Sequence, residues 1–224
     1  MAKTEAAREP VELTGVGRCL AQIRQMILSG ELLPGQKVHQ GELAEQLNLS
    51  RIPVREALST LQAEGVLVHK PNTGFTVARF NSEDLSEIYL MRRLLETELL
   101  RSIDLTKVDA DELFQINCDM GEIPPAESPE EYQKSNGQFH FRLFEYSPLP
   151  LVRNEVSRLW YMSGFYRSLY LYEVEASKQV YVDHERIIKA VREDDIEELI
   201  RASDEHRAST ERLVIQRLGR SRPI

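Results

Sequence analysis

Apolar residues recur at helical spacing along most of this chain, and the first place where the period changes is informative. Val16, Leu20, Ile23 and Ile27 fall three or four apart and predict a helix over 15–29, which Gly30 stops. Leu33-Pro34-Gly35 predicts a turn and Val38 a short extended piece. Leu43, Ala44 and Leu47 predict a short second helix, Asn48-Leu49 a turn, and Ser50 an N-cap for a third helix. In that third helix Pro53 lies in the first turn, where its missing N–H costs no hydrogen bond, and Val54, Ala57, Leu58 and Leu61 form an inward stripe. Glu64-Gly65 then ends the helix. Val66-Leu67-Val68 and Phe75-Thr76-Val77 alternate as strands around a turn at Pro71-Asn72-Thr73-Gly74. Two helices joined by a short turn and followed by a hairpin make a winged helix-turn-helix.

Beyond Asn81 the period stays helical. Ile88, Met91, Leu94, Leu95, Leu99 and Ile103 define a long helix that starts at Asn81-Ser82-Glu83-Asp84. Further helices are predicted over 106–120, 129–146, 149–171, 174–193 and 195–218, separated by the proline-rich stretch 121–129, by Pro148 and Pro150, and by Asp194. The fold class is mainly α: an N-terminal winged helix-turn-helix with a small β-hairpin, then an all-α antiparallel bundle of about six helices. The expected domains are a flexible tail over 1–12, a DNA-binding unit over 13–80, a helical effector-binding and dimerisation unit over 81–219, and a tail over 220–224.

The formal charge of −8 looks wrong for a DNA binder until it is divided. Residues 1–80 hold 9 Lys and Arg against 8 Asp and Glu, and the remainder holds 19 against 28, so the acid lies away from the helix-turn-helix. A near-neutral DNA-binding unit must rely on locally placed cations and on dimerisation. Arg51 and Arg55 are such cations. Four residues apart at the start of the third helix, they share the face opposite its apolar stripe. A recognition helix presents its N-terminal residues to the major groove, where arginine reads guanine O6 and N7 together. The bland alternative is a solvated helix face.

Here the residues carry a resemblance. Leu28-Ser29-Gly30-Glu31-Leu32-Leu33-Pro34-Gly35, Glu42-Leu43-Ala44, Ser50 through Leu58 and Glu64-Gly65, over about residues 14 to 80, resemble the DNA-binding domain of GntR-family transcription regulators. The resemblance implies that Ser50, Arg51 and Arg55 contact operator DNA and that the wing tip at Thr73 and Gly74 enters the minor groove. Gly41 departs from members that carry a further DNA-contacting arginine there.

His140, His184 and His206 each sit on a predicted bundle helix, with Asn136 one turn before His140. On spacing alone such histidines read as capped or solvated. Packed helices could also bring three imidazoles to one point, a donor set that suits zinc or nickel. Tyr89 through Glu96, Phe139-His140-Phe141-Arg142-Leu143, His184 through Val191 and His206 resemble the helical effector domain of the FadR subfamily, often called FCD. That resemblance implies a divalent metal held by Asp, His, His and His, with an effector carboxylate beside it. Asn136 stands where the family carries the aspartate. A neutral amide is a poorer metal partner than a carboxylate, and a metal-free pocket binding an anion is the rival. Arg92 matches the family's arginine on the first bundle helix and could clamp the effector carboxylate, or pair with Glu96 four residues on. Trp160, Tyr161, Phe165, Tyr166, Tyr170 and Tyr172 crowd one helix and its end, a stripe that reads first as core and second as part of an effector cavity.

Cys19 and Cys118 are too few and too distant to suggest disulfides or a thiolate metal site, and both are expected to be reduced and packed. No apolar run reaches the roughly 20 residues that span a bilayer, and the N-terminus is polar, so the expectation is a cytoplasmic protein with no membrane contact. The function expected is a homodimeric, metabolite-responsive regulator, more simply a repressor, reading an inverted-repeat operator and sensing a small anionic metabolite. Two alternatives remain: a metal-dependent hydrolase, with Glu185 beside His184 as its only nominated base, and a DNA-binding protein whose second domain only dimerises.

Overall fold

A computed structural model describes residues 14–71, 73–168 and 174–220. The helices and strands are α1 (Gly15–Leu28), β1 (Lys37–Val38), α2 (Gln40–Gln46), α3 (Arg51–Ala63), β2 (Leu67–Lys70), β3 (Gly74–Val77), α4 (Ser82–Arg101), α5 (Ala110–Gly121), α6 (Pro129–Phe144), α7 (Pro150–Ser168), α8 (Val174–Arg192) and α9 (Ile196–Arg220). The expected tail over 1–12, Asn72 at the wing turn, Tyr170, Tyr172 and residues 221–224 lie outside the described residues.

The first unit assembles as its apolar spacing demands. Val54, Ala57, Leu58 and Leu61 of α3 are fully buried against Cys19 and Ile23 of α1 and Leu43 and Ala44 of α2. Asn48 carries the sharp turn between α2 and α3 with φ 51°, a left-handed backbone that asparagine tolerates better than most residues. Ser50 occupies the N-cap position with extended backbone, but its hydroxyl makes no capping hydrogen bond. The expected side-chain cap is therefore absent; Gln40 Nε2 donates to the Arg51 carbonyl at 2.8 Å, which ties α2 to the first turn of α3 without satisfying its N–H groups. The hairpin gains a third strand, giving the antiparallel order β1-β3-β2 with Val38 opposite Phe75 and Val68 opposite Thr76. A two-residue strand carries too little pattern to be read as one from sequence.

Among the described residues the second unit has six α-helices. α4 opens with a capping box in which Asn81 and Asp84 bond each other's backbone N–H at 2.8 and 2.9 Å. The helix expected over 106–120 is interrupted: a 3-10 turn at Leu105–Lys107 precedes α5, whose first N–H groups bond the Asp109 carboxylate. Helix α4 packs on α7 and α9, α8 lies between α5 and α9, and α6 covers α5. No helix among the described residues is long and apolar enough to cross a membrane.

The two units share a hydrophobic core. Leu85 and Ile88 of α4, Leu159 and Tyr166 of α7 and Val214 of α9 join the cluster built around α1 and α3. Polar contacts reinforce it: the Phe80 N–H donates to the Tyr166 hydroxyl at 2.7 Å, and Arg158 Nη1 donates to the Glu64 carbonyl at 3.3 Å. Arg24 of α1 donates to both Glu64 oxygens, at 2.8 and 2.7 Å, and lies 4.2 Å over the Tyr161 ring.

Candidate DNA-reading face and histidine cavity

Arg51, Ile52 and Arg55 project outward from the first turns of α3 while Val54 and Leu58 are buried beneath them. Ile52 is 71% exposed, an apolar side chain of the kind that touches thymine methyl groups. Ser50 and Thr73 are also exposed. At the wing, Lys70 pairs with Gly74, whose φ of 87° suits the tight reversal, and the Lys37 side chain reaches to 4.0 Å of where a Gly74 Cβ would lie. Lys37 and Lys70 thus place two cations at the base of the wing tip. They escaped the sequence reading because the pairing that brings the extended piece at Val38 beside β3 is a contact between distant parts of the chain.

The second site forms where α6, α8 and α9 meet. The imidazoles of His140, His184 and His206 each offer a ligand atom within 4.8 Å of the others, and all three residues are buried. His184 Nε2 faces His140 Nε2 at 3.3 Å, and the Phe139 ring stacks on His184 at 3.8 Å. Two residues not singled out from the sequence set the imidazole tautomers. Asn117 of α5 donates its amide to the Tyr181 carbonyl, so its Oδ1 is left to accept from His184 Nδ1 at 3.0 Å. Asp183 accepts from His206 Nδ1 at 3.0 Å and from Gln179 at 2.7 Å. With the protons on Nδ1, His184 and His206 turn their Nε2 atoms toward the point where the three rings converge, His184 Nε2 accepting there from His140 Nε2, the arrangement in which outer partners orient metal-binding histidines.

Burial, and then the neighbouring imidazoles, hold His140 and His184 well below the usual histidine pKa. Burial alone would raise Asp183, but the hydrogen bonds from His206 and Gln179 outweigh it and keep the carboxyl below its ordinary value. The donor set fits a divalent cation: three buried imidazoles whose ring nitrogens converge within 4.8 Å, and a buried Asn136 whose Oδ1 has no hydrogen-bond partner among the described residues. The depressed histidines also predict acid lability. In the metal-free protein the unfolded chain takes up protons below about pH 6.5 while the folded chain does not, so stability present above that pH is lost as pH falls. Melting temperature in chelator should drop between pH 7.5 and 5.5; a flat profile would contradict neutral burial.

Arg92 makes the ion pair the sequence allowed. Its Nε donates to Glu96 at 2.7 Å, deep in the bundle, while its Nη1 has no partner. Arg92, Asn136, His140, His206, Trp160 and Arg167 line one cavity, whose free volume is about 20 Å³, the space of roughly one water. Trp160 is thus both core and cavity wall, with guanidinium groups of Arg92 and Arg167 each 4.3 Å from its ring centroid. Glu185, the base a hydrolase would need, is exposed at the surface. Cys19 is buried in the first core and Cys118 half-buried, both free thiols.

Two family models match the chain: the gntR family of bacterial regulatory proteins over residues 17–77, and the FCD domain over residues 87–209. The chain belongs to the GntR family, in its FCD-containing branch. It is 33% identical to the HTH-type transcriptional regulator LutR of Bacillus subtilis over 74% of this chain and 85% of that one. It is 26% identical to the uncharacterized regulator YdhC of the same organism over 76% and 78%. The structure of Escherichia coli McbR/YncC covers 92% of this chain and 99% of its own, with TM-score 0.78 at 22% identity, and so shares the fold. This GntR member is a metabolite-responsive, DNA-binding transcription regulator.

Proposed function

We propose that this regulator is a repressor that binds an inverted-repeat operator as a homodimer, and that a small carboxylate in the histidine cavity controls its grip on DNA. Arg51 and Arg55 read base edges in the major groove, Ser50 contacts the backbone, and Thr73 and Gly74 carry the wing into the minor groove. His140, His184 and His206, with the Asn136 oxygen, would hold a divalent cation such as zinc or nickel, which would supply a Lewis-acidic anchor for the acid. Arg92 Nη1 faces the same space. Leu90, Met91 and Leu94, exposed at 47%, 39% and 55%, put an apolar strip on one side of α4 that suits a two-fold interface.

The observation that carries the control is the position of α7. Trp160 and Arg167 line the cavity from this helix, while Tyr161 and Met162 pack on the DNA-binding unit and Tyr166 holds Phe80. A ligand that parts the cavity walls must shift α7, and α7 cannot shift without moving the winged helix. The two placements then differ in affinity for both DNA and ligand, which makes the coupling reciprocal.

The test is thermal melting of the purified chain with zinc, nickel or chelator, against a panel of carboxylates, followed by anisotropy on duplexes selected from a random pool. Metal-dependent stabilisation by one class of acid, with a matching change in DNA affinity, is expected. Retained metal near zero per chain after growth with zinc and nickel would defeat the metal assignment. Stabilisation by no acid would leave a second domain that only dimerises.

A further inference from the structure

The bundle buries more guanidinium donors than it satisfies. Arg92, Arg167 and Arg207 are each at most 4% exposed. Arg207 is fully paired: its Nε donates to Glu96 at 3.0 Å, and its two terminal nitrogens donate to Asp204 at 2.7 and 3.0 Å. Glu96 also serves Arg92. Among the described residues Arg167 donates to neutral acceptors, the Ser163 hydroxyl at 2.6 Å and the Trp160 carbonyl at 3.1 Å, with Glu96 acting on it only through space, and its Nε is buried with no partner there. Three guanidinium groups thus hydrogen-bond two carboxylates, with the half-buried Glu211 acting on Arg92 and Arg207 through space, and two of their N–H groups, Arg92 Nη1 and Arg167 Nε, find no acceptor among the described residues.

Such an excess is costly unless an anion completes it. Burial first, then repulsion from Arg92, lowers Arg167 to about 10, which still leaves it charged at neutral pH. The two unmatched N–H groups, Arg92 Nη1 and Arg167 Nε, belong to guanidinium groups that sandwich or flank the same indole. Because each lies 4.3 Å from that ring centroid, the two cations cannot be farther apart than twice that distance. Both line the histidine cavity.

We infer that the cavity is built for a compact dianion, a short-chain dicarboxylic acid, with one carboxylate at Arg92 and the histidines and the second on Arg167. This deepens the effector reading above and rests on it. Arg92 alone suffices for any carboxylate, whereas Arg167 selects for the second charge, because a monoacid leaves its Nε unmatched.

The experiment is calorimetric titration of the full chain, zinc-loaded and in chelator, with succinate and glutarate against their monomethyl esters, which keep the length and remove one charge. The wild-type chain should bind at least one diacid about ten-fold or more tighter than its monoester. Arg167→Gln should erase that gap while leaving monoester affinity unchanged. Equal affinity for diacid and monoester on the wild-type chain overturns the inference, and that comparison stands even if the variant fails to fold. Equal weakening of both ligands by Arg167→Gln also overturns it, since a structural role would do the same. Monoester binding with no gain from the second carboxylate sinks the dianion and spares the carboxylate sensor. If no mono- or diacid binds at up to about 10 mM, the sensor reading falls as well.

Discussion

Arg55→Ala should abolish specific operator binding while leaving the dimer and its melting temperature unchanged. The side chain is exposed on the first turns of α3 and touches none of the buried stripe beneath it, so its removal costs no packing. A bidentate arginine–guanine contact contributes about 1–3 kcal/mol of discrimination, and a two-fold dimer loses it twice, so affinity should fall by a factor of about thirty or more. The comparison that gives the number meaning is Lys70→Ala at the wing base. Losing a phosphate contact weakens binding to all sequences alike and lowers the salt slope, whereas losing a base contact flattens the preference among sequences. Anisotropy at several salt concentrations, on a selected operator and on scrambled duplex, separates the two. Unchanged operator affinity for Arg55→Ala would remove this residue from the reading face.

Glu96→Ala should be the most destabilising single change in the helical domain. Glu96 is 4% exposed and accepts from Arg92 at 2.7 Å and from Arg207 at 3.0 Å. Burial acts to raise its pKa, but the two guanidinium groups win and hold it below the ordinary carboxylate value, so it stays ionised. Removing the shared carboxylate leaves Arg92 facing Arg207 in an interior already rich in positive charge. Breaking a buried ion pair from one side costs about 3–5 kcal/mol, much of it the penalty of the charge left behind. Urea unfolding at fixed protein concentration should show the unfolding free energy fall by that much, with Glu96→Gln intermediate, because an amide still accepts one hydrogen bond. A loss below about 1 kcal/mol would mean that water or a rearranged Asp204 already screens the pair. The same linkage predicts that this contribution is present at neutral pH and is lost only as pH falls through the lowered folded pKa.

Much of this protein is legible along the chain because its elements are fixed by local rules. The period-3.6 stripe of α3 places Val54, Ala57, Leu58 and Leu61 inside, and by the same geometry it puts Arg51 and Arg55 outside; the structure places all six accordingly. The six bundle helices follow from their apolar spacing and from the prolines and Asp194 between them. Local rules misled where two solutions compete at one terminus. Ser50 has the residue type of a cap, yet its hydroxyl makes no capping hydrogen bond, and the first turn of α3 is instead tied through its Arg51 carbonyl to Gln40 on another helix. The break before α5 likewise depends on Asp109 capping a new helix, which periodicity over 106–120 does not register.

The pattern of side chains in sequence was sufficient to determine helix content, the winged helix-turn-helix and the three histidines, because each is a matter of neighbours within a few turns. What surrounds the histidines was decided by the tertiary packing alone. Asn117 lies 67 residues from His184, and Glu96 lies 111 residues from Arg207. Neither pair has a spacing that a helix or strand could enforce. A tautomer or an orphaned N–H depends on every group that converges on a point, and convergence is a property of packed helices rather than of any one of them.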